Sequence, residues 1–190
     1  MKSIRDVFKI GKGPSSSHTI GPEHAAQEFL RRYPDAELYR VKLYESLCKT
    51  GRGHGTDRVL YDVLGKERTE VQFCDYSPEP LPHPNTLDFL AFRGGEQIGY
   101  MRVMSVGGGD IVIEGEPVTE ADEIYPENSF AEIHQFCKWR YISLSEYVEL
   151  NEGPEIWDFL AEIWRAMKRS VEIGLHAEGV LPGGLNVVRK

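Results

Sequence analysis

The stretch LDFLAFRGGEQIGYMRVMSV, residues 87–106, predicts two antiparallel β-strands joined by a tight turn. Apolar and aromatic runs flank Gly94 and Gly95, and glycine accepts the positive φ angles of a two-residue hairpin turn. The predicted strands are 87–92 and 98–106. The second strand leads into the glycines Gly107–Gly109, and a further short strand is predicted at 111–113. This part of the chain therefore indicates a largely antiparallel sheet.

One more strand and two helices are predicted on the N-terminal side of this hairpin. Apolar and basic residues alternate over 39–43, as the two faces of a half-exposed strand require. A helix is predicted after Gly21-Pro22, with the proline near its first turn, and it ends before Pro34. The strand is predicted to lead into a glycine-rich turn, 49–55, and a second helix follows over 57–64.

The C-terminal third of the chain carries helical patterns. Ser129-x-x-Glu132 and Ser143-x-x-Glu146 both fit capping boxes that open helices. A third helix is predicted to begin at Pro154, and apolar residues recur along it at helical spacing. This stripe consists of Ile156, Trp157, Leu160, Ile163, Trp164, Met167 and Val171. An ordinary buried core face is the simplest interpretation of the stripe.

Strands that precede helices predict the α+β class. The expected domain has a mostly antiparallel sheet with helices on one face and spans 1–152. A C-terminal helical extension, 153–190, is expected to be the start of a further domain. A chain of 190 residues is long enough for one well-buried domain and such an appendage.

Composition and charge exclude several classes of function. With 22 basic and 30 acidic residues, the formal net charge is −8, so the chain repels a phosphate backbone and nucleic acid is not an expected partner. No apolar run approaches the roughly 20 residues that a membrane span needs. The N-terminus lacks a secretory signal pattern, and the widely spaced cysteines fit reduced thiols, so a cytoplasmic location is expected.

The first loop that can carry chemistry is GPSSSHTIGP, residues 13–22. Unpaired backbone amides and the dipole of the following helix favour a negative group there, such as a carboxylate or a phosphate. A flexible serine-rich linker, whose serines are solvated or cap the helix, is the structural alternative. The polar side chains of this loop are Ser15, Ser16, Ser17, His18 and Thr19.

A second loop, TGRGHGTD at 50–57, carries three glycines that allow a ligand to approach the backbone closely. The alternative is a turn selected for its backbone geometry, in which the histidine is exposed and Thr56 or Asp57 caps the next helix. The candidate site residues of this loop are Gly53, His54, Gly55 and Thr56.

Two further loops lie at 81–86 and 105–109. In LPHPNT, prolines on both sides hold His83 in an extended loop, as a positioned acid or base requires, although proline-rich loops are also common connections. In SVGGG, a strand ends in three residues without side chains, and a close backbone approach would explain them.

Histidines in three separate loops leave a zinc site open as an alternative, since imidazole is a common zinc ligand. Spacing alone does not show that these histidines converge. The cysteines, Cys48, Cys74 and Cys137, form no CxxC pair and are interpreted as buried small hydrophobic residues. No metal ligand is assigned in this chain.

Together the four loops, in this order and rough spacing, resemble those of the iron–sulfur L-serine dehydratases. The matching motifs are GPSSSHTIGP at 13–22, TGRGHGTD at 50–57, HPN at 83–85 and SVGGG at 105–109. The segment GVLPGGL at 179–185 is similar to the one that opens the catalytic domain of this family, so the resemblance covers nearly the whole chain. Glu23 and His24 depart from the family pattern, which more often has a methionine and a basic residue there.

The resemblance implies a component of an L-serine ammonia-lyase, which converts L-serine to pyruvate and ammonia by β-elimination of water. It implies a domain similar to an allosteric substrate-binding domain of some phosphoglycerate dehydrogenases. It also implies a [4Fe-4S] cluster that acts as a Lewis acid and is held by three cysteines of a catalytic region outside this chain. None of the cysteines here matches those ligands, and no pyridoxal phosphate is implied.

The resemblance implies that His18, His54 and His83, each within a matching motif, are catalytic residues that lie at or near the substrate. A histidine titrates near neutrality and can assist proton transfers or tether a carboxylate. The same motifs imply substrate-binding positions for Ser15, Ser16, Ser17, Thr19, Gly53, Gly55, Thr56 and Asn85.

Two interpretations from different classes stay open. In the first, the chain is part of a serine ammonia-lyase, either a truncated fused enzyme, which we favour, or a subunit whose cluster partner is a separate chain. In the second, it is a module that senses serine or another small anion without catalysis. The start of a catalytic domain at 179–185 favours the first. The expected partners are L-serine, a catalytic alpha domain or subunit, and further copies of the chain in a homo-oligomer.

Overall fold

The computed structural model describes residues 1–118, 122–181 and 185–190. These residues form the helices α1 (Ile20–Arg32), α2 (Glu45–His54), α3 (Thr56–Leu64), α4 (Phe130–Arg140), α5 (Leu144–Glu152) and α6 (Ile156–His176). They form the strands β1 (Leu38–Tyr44), β2 (Thr69–Cys74), β3 (Thr86–Arg93), β4 (Glu96–Gly107), β5 (Asp110–Ile113), β6 (Gly179–Val180) and β7 (Val188–Arg189). Short 3₁₀ turns lie at Ile4–Asp6, Ser16–His18 and Lys66–Arg68. The chain divides into two compact units, of which the larger comprises 11–118 and 179–189.

The larger unit is built on a five-stranded sheet with the strand order β2-β1-β3-β4-β5. β1 and β2 run parallel, and the other neighbouring strands run antiparallel. In the hairpin between β3 and β4, Arg93 pairs with Glu96, and the φ angles of Gly94 and Gly95 are 58° and 83°. Glycine adopts two successive positive φ angles without strain. The predicted hairpin and the mostly antiparallel sheet are confirmed.

One face of this sheet forms the core with α1, α2 and α3. Residues two apart on a strand point to the same face, so alternate strand positions are buried together. The strand residues of the core are Tyr39, Val41, Leu43, Leu87, Phe89, Ala91, Met101 and Val103. The helix residues are Ala25, Ala26, Phe29, Leu47, Leu60 and Leu64. The predicted α+β class, with helices on one face, is confirmed.

The opposite face of the sheet carries a buried ion pair between Asp88 and Arg102. The guanidinium donates from Nε at 2.6 Å and from Nη2 at 2.8 Å to the two carboxylate oxygens. The hydroxyls of Tyr44 and Tyr100 donate to the same carboxylate at 3.0 and 3.1 Å. Four donors compensate for the hydration that the buried Asp88 loses.

The predicted glycine-rich turn at 49–55 is wrong, because α2 continues through it to His54. Gly51 is buried, and a Cβ added there would lie 3.1 Å from Thr56 Oγ1 and 3.4 Å from the Phe73 ring. This packing requires glycine within the helix, although glycine costs about 1 kcal/mol relative to alanine at such a position. The turn between α2 and α3 is reduced to Gly55, whose φ is 76°.

Two other elements differ from the local patterns. α1 begins at Ile20 rather than after Gly21-Pro22, and the proline is tolerated because amides of the first turn have no intrahelical acceptor. β2 (Thr69–Cys74) is not anticipated by the sequence pattern. It lies at the sheet edge and pairs in parallel with β1, so its position depends on the crossover through α2 and α3.

The smaller unit contains α4, α5 and α6. Both predicted capping boxes are confirmed: the side chains of Ser129 and Ser143 accept from the backbone amides of Glu132 and Glu146, whose carboxylates accept in return. These reciprocal bonds satisfy amides that have no acceptor within the helix. A separate small core of this unit contains Tyr125, Cys137 and Tyr147.

The apolar stripe of α6 is not the buried face that its spacing predicts. Ile156 and Ile163 are buried, whereas Trp157, Trp164, Met167 and Val171 are exposed. A helix of 21 residues is about 31 Å long, and α4 and α5, with 11 and 9 residues, are too short to cover it. Among the described residues, no helix combines the length and apolar composition that a membrane span needs.

The segment 179–185 is described only in part. Gly179–Val180 pairs antiparallel with Val188–Arg189. Pro182, Gly183 and Gly184 lie outside the described residues. Its predicted role as the start of a catalytic domain therefore stays a prediction.

Candidate active site

The first two loops of the sequence meet at His18. This residue ends the 3₁₀ turn before α1, and its ring centroid lies 4.6 Å from that of His54 at the end of α2. Thr56 also joins the two segments, since its hydroxyl donates to the His18 backbone oxygen at 2.7 Å. The fold thereby brings two of the three predicted histidines together.

Hydrogen bonds determine the tautomer of His18. Its Nδ1 lies 3.0 Å from Ser15 Oγ, and its Nε2 lies 2.9 Å from Thr50 Oγ1. The Thr50 hydroxyl donates its single proton to the Ser46 backbone oxygen at 2.8 Å, so it accepts from His18. Nε2 of His18 therefore carries the proton, and Nδ1 accepts from the Ser15 hydroxyl.

The surroundings of His18 favour a neutral imidazole. Burial lowers the pKa of His18 below the ordinary 6.5, because the charged ring would lose its hydration. Positive charge on the neighbouring His54 lowers this pKa further. With both nitrogens engaged inside the chain, His18 is suited to position its neighbours rather than to exchange protons with a ligand.

His54 lines an open cleft of about 430 Å³, a volume that accommodates a small molecule. Its Nδ1 donates to the Thr50 backbone oxygen at 2.9 Å, so Nε2 of the neutral ring carries the lone pair. Gly53, Gly55 and Thr19 line the same cleft. His54 can therefore accept a proton from a molecule bound there.

The predicted binding hydroxyls of the first loop have different surroundings. Thr19 is buried, and its hydroxyl is directed at the backbone oxygens of Lys12 and Ser15. Ser16 and Ser17 are half-buried in the turn that ends at His18. Thr19, like Thr56, thus stabilises the loop itself, whereas the two serines stay partly accessible.

The third loop reaches the start of α2. Nδ1 of His83 accepts from the amide of Asn85 at 3.0 Å, and the Pro84 backbone oxygen accepts from the amide of Ser46 at 3.0 Å. Ser46 Oγ lies 3.3 Å from Nε2 of His18, so Ser46 connects this loop to the first one. Within the described residues, no hydrogen bond or ring contact joins His83 directly to the other two histidines.

Ser105 is a buried residue beside Asn85 that was not predicted as a ligand contact, although it is the first residue of the SVGGG motif. Its amide donates to the Asn85 backbone oxygen at 3.0 Å, and its own backbone oxygen accepts from Nδ2 of Asn85 at 3.3 Å. Ser105 Oγ and Asn85 Oδ1 are buried without a hydrogen-bond partner in the described part of the chain. A Cβ on Gly21 would clash with Ser105 Oγ and lie 2.9 Å from its Cβ, so α1 meets β4 only with glycine there. The SVGGG motif is the signal that points to this residue.

Comparison with known proteins shows which proteins this chain is similar to. Residues 3–79 match the family model of the serine dehydratase beta chain. Over its whole length the chain is 32% identical to L-serine dehydratase TdcG of Escherichia coli (strain K12), and it covers 53% of that protein. The chain is a relative of the L-serine dehydratases.

Two further L-serine dehydratases are similarly close. L-serine dehydratase 1 of Escherichia coli (strain K12) is 31% identical over 100% of this chain and 53% of its own length. The L-serine dehydratase of Streptomyces coelicolor (strain ATCC BAA-471 / A3(2) / M145) is 32% identical over 99% of this chain and 53% of its own length. The predicted similarity to L-serine dehydratases is confirmed, and the chain spans about half the length of these L-serine dehydratases.

The cysteines of this relative of the L-serine dehydratases do not fit an iron–sulfur cluster. Burial raises the pKa of the Cys48 thiol to about 11 and also raises that of Cys74, whereas cluster ligands are thiolates. Cys137 belongs to the other compact unit. In the described ranges, no three histidine, cysteine or acidic side chains are arranged to hold a metal ion.

Proposed function

We propose that the chain is the substrate-side region of an L-serine ammonia-lyase, which converts L-serine to pyruvate and ammonia. The relationship to the L-serine dehydratases supports the reaction class. The observation that carries the proposal is the His18–His54 pair, in which a buried imidazole packs against a second imidazole that lines an open cleft.

The reaction requires a held carboxylate, removal of the α-proton and departure of the β-hydroxyl group. Loss of the α-proton and the β-hydroxyl group as water leaves an enamine, which tautomerises to an imine. Addition of water to the imine then gives pyruvate and ammonia. His54 is the proposed base, because its Nε2 carries the lone pair and because the residue lines the open cleft. His18 positions His54 through their ring contact and through Thr50.

His83 is the proposed proton donor. Because its Nδ1 accepts from the Asn85 amide, Nε2 of the neutral ring carries the proton. Such a donor assists departure of the hydroxide. Ser15, Ser16, Ser17 and Asn85 are proposed to orient the substrate.

A [4Fe-4S] cluster would supply a Lewis acid for the departing hydroxide. Its ligands would be cysteines of a catalytic region, and not Cys48, Cys74 or Cys137. The cysteines here do not supply its ligands, so no step is assigned to it. Residues 153–190, with the exposed stripe of α6, are proposed to begin that catalytic region. We also propose that the enzyme is a cytoplasmic homo-oligomer and that its reaction does not use pyridoxal phosphate.

Pyruvate formation from L-serine tests this proposal. The chain is assayed anaerobically with reconstituted cluster, alone and with a catalytic region supplied in cis or in trans. We expect activity only with the added region, and we expect His54→Gln to lower kcat by about 100-fold or more, as loss of a general base does. The matched control, His134→Gln in α4, retains activity. Full activity after replacement of all three loop histidines would contradict a catalytic role of these loops. It would favour a module that senses serine while the added catalytic region alone forms pyruvate.

A further inference from the structure

Two arginines line the cleft beside His54. Arg52 and Arg58 both contribute to its wall. The acidic residue of the wall, Asp62, is paired with Lys12. Within the described residues, neither guanidinium forms an ion pair.

Four other arginines of the larger unit differ from this pair, whereas Arg68 and Arg93, which lie outside the cleft, also form no ion pair within the described residues. Ion pairs engage the guanidiniums of Arg31, Arg32, Arg40 and Arg102. In a chain with a net charge of −8, carboxylates are abundant, so two guanidiniums without one in a single cleft indicate a place for an external anion.

Arg52 is restrained by a neighbouring ring. The guanidinium carbon of Arg52 lies 4.4 Å from the ring centroid of Phe73, a cation–π contact. Side chains that are already restrained lose less entropy when a ligand binds.

The helix α3 adds a third attraction for a negative group. Gly55 lines the cleft and is the N-cap of α3, and it offers no side chain to the first amides of the helix. The unpaired amides and the positive end of the helix dipole favour an anion at this end.

We propose that Arg52 and Arg58 bind the α-carboxylate of the amino-acid substrate in this cleft. This inference rests on the proposed function, because it names the groups that hold the carboxylate while His54 takes the α-proton. A guanidinium binds a carboxylate through two parallel N–H···O bonds. His54 lines the same cleft, so a carboxylate held there brings the adjacent α-carbon close to this imidazole.

Ligand binding to the purified chain tests the inference without any need for catalysis. The backbone amide resonances of isotope-labelled protein are followed by NMR while L-serine, propionate, L-serinamide and inorganic phosphate are added in separate titrations. We expect L-serine and propionate to shift the resonances of Gly53 and Gly55, and L-serinamide, which lacks the carboxylate, to leave them unchanged. Phosphate that binds more tightly than L-serine would identify an inorganic-anion site and overturn the assignment.

Substitutions identify the groups that hold the carboxylate. Arg52→Gln and Arg58→Gln are each expected to raise the Kd for L-serine about tenfold or more, because each removes a charge-assisted contact. Arg52→Lys keeps the positive charge but lacks the planar guanidinium, so we expect a smaller rise in the Kd for L-serine. This variant also tests the inference if a glutamine variant fails to fold. Arg93→Gln removes the same charge from the exposed hairpin and is the matched control. An unchanged Kd in both cleft variants overturns the inference.

The result is separable from the test of the proposed function. With the catalytic region supplied, Arg52→Gln and Arg58→Gln are expected to raise KM more than they lower kcat. Pyruvate formation with an unchanged KM in both variants overturns the carboxylate site and leaves the proposed function intact. Arginine-dependent binding of L-serine to a chain that never forms pyruvate supports the carboxylate site and contradicts the proposed function.

Discussion

The imidazole of His18 connects the first loop to α2. One ring nitrogen bonds to Ser15 within the loop, and the other bonds to Thr50 of the helix. A substitution that removes either bond therefore loosens the contact on which the placement of His54 depends.

The titration of His18 reports this environment directly. We expect the pKa of His18 to lie below 6.5, first because the ring is buried and second because of charge on His54. His54→Gln removes the second cause, so the pKa of His18 rises but stays below the ordinary value. An NMR titration of the ring protons measures both values, and His134→Gln in α4 serves as the control. A pKa of His18 above 6.5 would contradict a buried neutral ring.

The close contact between Gly21 and Ser105 leaves no room for a side chain at position 21, in the first turn of α1. We expect Gly21→Ala to lower the free energy of unfolding by about 1–3 kcal/mol, because the new Cβ overpacks a buried contact. Gly53→Ala is the matched control: a Cβ there meets nothing within 4 Å, and alanine is the better helix former. Urea unfolding measures both. Equal stability of the two variants would show that α1 and β4 are not in close contact.

In α6, the helical spacing of the apolar residues does not predict which of them are buried. Ile163 and Trp164 are neighbours on this helix, but their exposed fractions are 7% and 62%. We expect Ile163→Ala to cost about 2–4 kcal/mol of unfolding free energy, and Trp164→Gln to cost no more than about 0.5 kcal/mol. Urea unfolding of the chain measures both. A comparable loss in the two variants would indicate that the exposed stripe is covered.

For the whole molecule, ionisable groups determine the pH range of stability. Hydrogen bonds from Arg31 lower the pKa of Glu28 to about 2, and Arg32 lowers the pKa of Glu116. The unfolded chain then binds protons at a higher pH than the folded chain. Stability is therefore lost as the pH falls below the ordinary carboxyl value of 4.5. The low pKa of His18 acts in the same direction below 6.5.

At alkaline pH, stability changes with pH in the opposite direction. Burial raises the pKa of Cys48 to about 11 and that of Tyr100 to about 12, so the folded chain keeps protons that the unfolded chain releases. Stability is then lost as the pH rises above the ordinary thiol value of 9.0. We expect the urea midpoint to be highest between pH about 7 and about 9. Glu28→Gln should flatten the acid limb. A midpoint at pH about 4 that equals the one at pH about 8 would refute this assignment of the groups.

Local patterns were sufficient for the features that depend on neighbouring residues. The hairpin follows from two glycines between apolar runs, and the capping boxes follow from serine and glutamate three residues apart. The similarity to the L-serine dehydratases was predicted from four short motifs, which also contain His18, His54 and His83. Each of these features is encoded within about ten residues, so no knowledge of packing was necessary.

The remaining features depend on residues that are distant along the chain. α2 continues through its glycines because Gly51 packs against Thr56 and Phe73, and β2 is a strand because it pairs with β1. The neutral state of His18 requires burial, and the arginine-lined cleft requires α2 and α3 to meet at Gly55. Burial and charge pairing are properties of distances in space, and packing of the helices on the sheet establishes those distances.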